Sequence, residues 1–238
     1  MSVYDTISSI YEEIFPVNRI AVEMIESLIP HRAEKRLLDL GAATGGYARA
    51  FADRGWDTLG IELNREMALV AASKAHVVEG SMLKAEAIVR TDYGIVVKFG
   101  AVLCLGNTLP HITPASIPAF FTMIRHLLFP GAPFILQTLN YSHPDVKPGF
   151  TFPAIEAAGF KFDRHYETGE EPGTFSFVTT LADRSRSSTD STVLYALKPE
   201  MISYLLRGAG FKTIETWSGW DRLPFDPARD LYVVTVAR

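Results

Sequence analysis

The chain has 238 residues, 47% of them hydrophobic and 21% charged, which suffices for one large domain with a sizeable core. Its formal net charge is −4 and no basic stripe is present, so a nucleic-acid partner is not expected. No apolar run approaches bilayer length, the first residues lack the basic segment of a secretory signal, and the lone Cys104 suits a reducing compartment. We therefore expect a cytoplasmic protein without a membrane partner.

The amino-terminal segment, residues 1–29, has two amphipathic helical stretches separated at Pro16. Both precede the first predicted strand. We expect them to form a helical cover across a ligand cleft.

A strand, a turn of small residues and a helix follow within residues 36–55. Residues 36–40 are an apolar run with one acid, as in a buried parallel strand. Residues 41–46 carry only one side chain larger than a methyl group, so the backbone can turn sharply and approach a ligand closely. Apolar positions at helical spacing occupy residues 47–54, and Gly55 ends them. This order is typical of a nucleotide-binding βαβ unit with free N–H groups at the helix start.

The second strand, residues 57–63, includes Glu62 near its end, and Asn64 is placed to cap the next helix. An acid at this point is suited to hold a ribose diol through two charge-assisted hydrogen bonds. The alternative is a solvated strand end. In either case, Glu62→Gln should leave the melting temperature of the ligand-free protein nearly unchanged.

The small-residue turn identifies a family. G-A-A-T-G-G lacks the second glycine of the dinucleotide motif G-x-G-x-x-G, which disfavours a nicotinamide-dependent oxidoreductase. Asp39-Leu-Gly-Ala-Ala-Thr-Gly45 instead resembles motif I of the class I S-adenosylmethionine-dependent methyltransferases, with Ala43 in place of a common glycine. The resemblance implies S-adenosyl-L-methionine as the cofactor. The cofactor-binding residues that it implies in this region are Gly41, Ala42, Ala43, Gly45, Glu62 and Leu63.

Later segments are similar to the remaining strands of that family, in order. They are residues 75–82, 99–112, 127–141, 197–217 and 231–237, the last as an antiparallel seventh strand. The resemblance implies an α/β, Rossmann-like three-layer sandwich with a seven-stranded, mostly parallel sheet. Residues 1–238 would form a single methyltransferase domain.

Further cofactor contacts follow from the same resemblance. Ser81 stands where the family usually has an acid for the adenine amino group, so Met82 and the backbone would share that contact. Leu105 would touch the cofactor after the fourth strand. Tyr11 and Arg19 of the helical cover would reach its carboxylate.

The acceptor site is indicated by residues 104–111, C-L-G-N-T-L-P-H, which are similar to a motif of glycine, sarcosine and sugar-amine N-methyltransferases. On that resemblance Asn107 faces the acceptor and His111 lies near both ligands. The glycine enzymes have an arginine before Asn-Tyr, whereas this chain has Leu139 before Asn140 and Tyr141. Leucine cannot clamp a carboxylate, so glycine is not the expected substrate. His111 or Tyr141 would take the proton of the acceptor.

Residues 142–196 differ from the alternating strands and helices before them. Three strands are predicted at residues 160–168, 174–182 and 191–197, with turns at Glu-Glu-Pro-Gly and in the Ser/Thr/Arg-rich residues 184–192. Such an antiparallel insert can act as a lid over a small molecule. Alternatively, it extends the sheet or forms the contact of a homodimer.

The resulting hypothesis is methyl transfer to a small-molecule acceptor, most simply an amine. A small-molecule O-methyltransferase and a non-catalytic cofactor-binding protein are the alternatives. The histidines have no metal-ligand spacing, so we expect no metal site.

Overall fold

Strands and helices alternate through most of the computed structural model, which describes residues 2–238. The strands are β1 (Arg36–Leu40), β2 (Asp57–Glu62), β3 (Val77–Glu79), β4 (Ala101–Cys104), β5 (Phe134–Leu139), β6 (Ile155–Ala157), β7 (Phe160–Thr168), β8 (Thr174–Ala182), β9 (Ser187–Tyr195), β10 (Ile214–Trp217) and β11 (Tyr232–Ala237). The α-helices are α1 (Val3–Ile7), α2 (Tyr11–Ile14), α3 (Arg19–Ser27), α4 (Gly46–Ala52), α5 (Arg65–Ala72), α6 (Ala85–Tyr93), α7 (Ile117–Leu127) and α8 (Pro199–Gly208).

Seven strands form the main sheet in the order β10-β11-β5-β4-β1-β2-β3. Strands β1 to β5 run parallel, and β11 lies between β5 and β10 and pairs antiparallel with both. The expected Rossmann-like sheet with an antiparallel last strand is confirmed. Because the order reverses beside β1, the loops after β1 and β4 diverge and leave a crevice at the carboxyl ends of the strands.

Helices cover both faces of this sheet, which makes three layers. On one face, side chains of α6, α7 and α8 pack with Leu38 and Leu40 of β1. On the other, α3 and α4 pack with Leu37. The alternation along β1 follows from the pleat of a strand, which sends successive side chains to opposite faces.

The insert is a separate antiparallel sheet of four strands, β6-β7-β8-β9. The sequence predicted three, and it placed residues 184–192 in a turn. That turn is shorter, because the Asp183 carboxylate accepts hydrogen bonds from the backbone N–H groups of Ser185 (2.7 Å) and Arg186 (2.9 Å). The chain is already paired at Ser187, opposite Ala182. Polar residues 187–192 form a strand because they lie at the outer edge of the sheet, where little apolar burial is required.

The amino-terminal segment is helical on both sides of Pro16, as expected. A capping box starts α1, in which the Ser2 hydroxyl accepts from the Asp5 N–H and the Asp5 carboxylate accepts from the Ser2 N–H. Val3, Ile7 and Ile14 then pack in one apolar cluster with Met67 of α5 and with Phe162 and Leu181 of the insert, which we call the cover–insert cluster.

No helix within residues 2–238 combines the length and the apolar character needed to cross a bilayer.

Candidate active site

A cavity of about 450 Å³ lies at the carboxyl ends of β1, β4 and β5, between the amino-terminal segment and the insert. Half of the residues predicted for the site line it. They are Tyr11, Gly41, Ala42, Ala43, Leu105, Asn107 and His111. Its volume lies in the range of pockets that enclose metabolites and cofactors.

The loop after β1 owes its shape to its small residues. The N–H groups of Gly41 and Ala42 donate to the Ile61 carbonyl at 2.8 and 3.1 Å, which turns the chain back across β2. Gly41 has a φ of +73°, and a Cβ there would meet Thr108 Cγ2 at 2.5 Å, so only glycine fits against the loop after β4. Ala43 has a φ of +48°, in the left-handed region that favours glycine. The replacement of the family's glycine therefore leaves strain in this loop.

Glu62 fixes the same loop from β2. One carboxylate oxygen accepts from the Ala43 N–H at 2.8 Å and the other from the Asn64 N–H at 2.7 Å. Burial raises the pKa of Glu62, and these backbone donors oppose that rise. Glu62 is therefore a structural anchor, and the expectation that its replacement leaves the ligand-free melting temperature unchanged no longer holds.

The amino-terminal segment is joined to this anchor by hydrogen bonds. Asn64 caps α5 as predicted, and its side-chain amide also donates to Asp5 at 2.7 Å. Glu12 accepts from the Thr44 hydroxyl at 3.0 Å, at the tip of the loop. These contacts hold the segment over the loop, where Tyr11 lines the cavity.

Asp39, near the end of β1, is a buried acid that the sequence placed in the motif without assigning it a contact. It is 3% exposed and lines the cavity. Its carboxylate accepts no hydrogen bond from residues 2–238. Burial, followed by the charge of Glu62, raises the pKa of Asp39 from 3.8 to about 7. An unpartnered acid facing a cavity favours a cationic or hydrogen-bond-donating ligand.

Asn107 joins β4 to β5 and to the insert. Its side-chain oxygen accepts from the Leu139 N–H at 2.9 Å, and its amide nitrogen donates to the hydroxyls of Tyr141 (3.1 Å) and Tyr166 (3.4 Å). The two hydroxyls lie 3.1 Å apart. Asn107 has a φ of +61° and follows Gly106 at +65°, so the chain turns sharply enough to present this amide inward.

Tyr166, on β7 of the insert, is a cavity residue that the sequence did not reveal. It is fully buried, and its ring stacks on Phe175 at 4.9 Å between centroids. The Tyr141 ring packs against both, with its centroid 5.8 Å from that of Phe175 and 6.2 Å from that of Tyr166. Burial raises the pKa of both tyrosines, so each hydroxyl stays protonated at neutral pH. Tyr141 does not line the cavity itself, but its hydroxyl contacts the lining residues Asn107 and Tyr166.

His111 lies in a 3₁₀ turn, Leu109–His111, and faces the cavity. The residue is exposed to solvent, yet the protein atoms around it lower its pKa, because desolvation disfavours the imidazolium. A neutral imidazole at this wall can accept a proton.

The remaining predicted residues lie outside the cavity lining, and their contacts with a cofactor stay predictions. Leu63 is 73% exposed, Arg19 is exposed at the start of α3, and the Ser81 hydroxyl accepts from the Leu83 N–H at 3.3 Å. Gly45 packs under the loop against Ala71 and Ala75. Met82 packs on the core beside α6.

A family model described as a methyltransferase domain matches residues 17–216. The curated glycine/sarcosine/dimethylglycine N-methyltransferase of Actinopolyspora halophila is 22% identical over 222 residues. That match covers 85% of this chain and 36% of the curated protein, so this chain spans only part of its relative's length.

Solved structures share the fold. An S-adenosylmethionine-dependent methyltransferase from Clostridium acetobutylicum superposes with a TM-score of 0.79 at 15% identity, over 99% of this chain and 98% of that one. A sugar N-methyltransferase from a Streptoalloteichus species gives a TM-score of 0.69 at 20% identity, over 100% of this chain and 93% of that one.

Proposed function

Because the chain belongs to the methyltransferase domain family, as a class I S-adenosylmethionine-dependent enzyme, we propose that it methylates a small-molecule amine. The acceptor and its amine character are the proposed part. The observation that carries them is the cavity between the amino-terminal segment and the insert, whose second wall is formed by Asn107, His111 and Tyr166.

The residues at the carboxyl ends of β1 and β2 fit the cofactor. S-adenosylmethionine carries a sulfonium and an ammonium, and Asp39 is a buried acid without a partner on the cavity wall. Gly41, Ala42 and Ala43 supply a wall without bulk beyond a methyl group, and Leu105 adds an apolar contact. Glu62 keeps free lone pairs on both oxygens beside the loop, so a ribose diol is a compatible partner.

When bound, the cofactor supplies a methyl group activated by its sulfonium. The protein has to hold the acceptor in line and exclude water, and such orientation is worth up to about 7–11 kcal/mol in favourable cases. Asn107 is suited to orient the acceptor because its amide is fixed by three hydrogen-bond partners. The insert and the amino-terminal segment serve as lid and cover, since both line the cavity.

An amine must attack in its neutral form. His111 is suited to take the proton, because its lowered pKa leaves the imidazole free to accept one near neutral pH. The names of two relatives, a glycine/sarcosine/dimethylglycine and a sugar N-methyltransferase, also support nitrogen as the acceptor atom. A hydroxyl acceptor would use the same base, so a small-molecule O-methyltransferase remains the second candidate. The homodimer and the cytoplasmic location stay predictions.

The test is a methyl-transfer screen of amines, hydroxyl compounds, peptides and RNA, read as formation of S-adenosylhomocysteine. We expect turnover with small amines. His111→Ala should slow the best of them by about 100-fold, within the range of general base catalysis. His31→Ala, at an exposed histidine away from the cavity, is the matched control. Methylation of RNA or peptides without small-molecule turnover contradicts the proposal.

A further inference from the structure

Arg164, on β7 of the insert, places a guanidinium at the cavity wall among aromatic rings. The centre of the guanidinium lies 5.1 Å from the ring centroid of Phe152 and 5.4 Å from those of Phe15 and Phe162. Such faces attract a cation, so the rings partly compensate for the lost hydration.

Within residues 2–238, the Arg164 guanidinium donates one hydrogen bond to the protein. Nη2 donates to the Pro153 carbonyl at 3.0 Å, whereas Nε is buried and has no partner among the residues that the structure describes. No carboxylate within residues 2–238 forms an ion pair with Arg164. The nearby ionisable groups are the hydroxyls of Tyr4, Tyr11, Tyr166 and Tyr232. The guanidinium is half-buried at the cavity wall and has no anionic partner, so an anionic ligand in the cavity would offset the cost of burying its charge.

The position of Arg164 associates it with the acceptor wall. Arg164 and Tyr166 are two residues apart on β7, so their side chains leave the same face of the strand about 7 Å apart. The Tyr166 hydroxyl contacts Asn107 and Tyr141, which are predicted acceptor residues. Asp39 and the loop after β1, which fit the cofactor, come from the other sheet.

We propose that Arg164 binds a carboxylate of the acceptor, so that the substrate is an amine that also carries a carboxylate group. This inference rests on the proposed function and narrows its substrate class. A guanidinium matches a carboxylate through two parallel N–H donors. Leu139 excludes a clamp of this kind at the end of β5, whereas Arg164 offers one from the insert. The cofactor also has a carboxylate, and the experiment separates the two sources.

The experiment pairs amino acids and N-methyl amino acids with their amides and their decarboxylated amines. Binding to protein saturated with S-adenosylhomocysteine is measured by calorimetry, and turnover is measured with S-adenosylmethionine. We expect the carboxylated member of a pair to bind at least about tenfold more tightly, and Arg164→Gln to abolish that preference. Arg164→Lys should restore it in part, and Lys161→Gln, at an exposed cation on the same strand, should leave it intact.

Each outcome decides between the hypotheses. Arg164-dependent binding of carboxylated amines without any turnover supports the Arg164 site and contradicts the proposed function. Preferred turnover of amines without a carboxylate, or no binding of carboxylated compounds, overturns the Arg164 site. So does an Arg164→Gln protein whose affinity for S-adenosylmethionine falls more than its affinity for the acceptor, because the guanidinium then serves the cofactor. Arg164→Met fills the same space without a charge and should remain folded, which separates binding from stability.

Discussion

The two walls of the cavity are assembled in different ways. The wall that fits the cofactor comes from a short stretch of chain, in which Asp39, the loop after β1 and Glu62 belong to one βαβ unit. The acceptor wall joins Asn107 and His111, from the loop after β4, with Arg164 and Tyr166 of the separate insert sheet. A contiguous motif can preserve the binding of one ligand while substitutions in distant segments change the binding of the other. We therefore expect substitutions in the two walls to have separable effects.

The largest effect is expected at Asn107, which connects the segments of the acceptor wall. Asn107→Gly removes the amide without adding strain, because glycine adopts a φ of +61° readily. The Leu139 N–H loses its acceptor, the two tyrosine hydroxyls lose the Asn107 donor, and the acceptor loses its orientation. We expect kcat/KM to fall by about 100-fold. Calorimetry should show that the Kd for S-adenosylmethionine changes less than about threefold; an equal loss in both would show that the walls are not separable.

The next largest effect is expected at Asp39, on the cofactor wall. Its raised pKa means that the folded, ligand-free protein binds more protons than the unfolded chain between pH 3.8 and about 7. Stability from this group therefore falls as the pH rises through that window, by on the order of 4 kcal/mol at full ionisation. A cationic ligand favours the carboxylate, so cofactor affinity should rise as the pH rises through 7.

Asp39→Asn should remove both dependences. We expect the Kd for S-adenosylmethionine at pH 8 to weaken by about tenfold or more, with loss of the charge-assisted interaction. As the pH rises from 5 to 8, the melting temperature of the ligand-free variant should increase relative to that of the parent protein. Calorimetry and melting curves across that range provide the measurement. An unchanged pH profile in the variant would assign the titration to another group.

A smaller effect is expected at Glu62, because the residue has both a structural and a binding role. Glu62→Gln places an amide N–H against a backbone N–H, so one of two anchoring hydrogen bonds is lost. We expect about 1–3 kcal/mol of destabilisation, at about 2–4 °C of melting temperature per kcal/mol. If the ribose is also held here, the cofactor Kd weakens by about tenfold. Glu66→Gln, at an exposed acid in the first turn of α5, is the control.

The smallest effect is expected at Ala43. Its φ of +48° suits glycine better than alanine, so Ala43→Gly relieves strain in the folded state. The greater freedom of glycine in the unfolded chain offsets part of that gain. We expect a rise in the free energy of unfolding of at most about 1 kcal/mol, measured by urea denaturation, with acceptor KM unchanged. A clear loss of stability would mean that the alanine methyl contributes packing that outweighs the strain.

The sequence predicted the cofactor wall better than the acceptor wall for a physical reason. A strand, a small-residue turn and an acid at the next strand end are local features, and each is fixed by the residues that carry it. Tyr166 and Arg164 lie in a strand whose sequence indicates only that it is a strand. The placement of their side chains at the cavity depends on how the second sheet packs on the first. Residues 184–192 are predicted as a turn because Ser is common in turns. Ser and Thr also suit an exposed edge strand, and residues 187–192 form one. Trp217 packs in the core, whereas Trp220 lines the cavity. The local sequence around each tryptophan does not distinguish these two positions.

The cover–insert cluster has a consequence for how ligands enter. Val3, Ile7 and Ile14 share it with Phe162 and Leu181, and the Phe15 ring meets Phe162 edge-on at 6.0 Å. Neither layer can lift away from the other without wetting these side chains. The two should therefore open as one cooperative unit, so that amide hydrogens of α1 and of β7 exchange with solvent at a common opening rate.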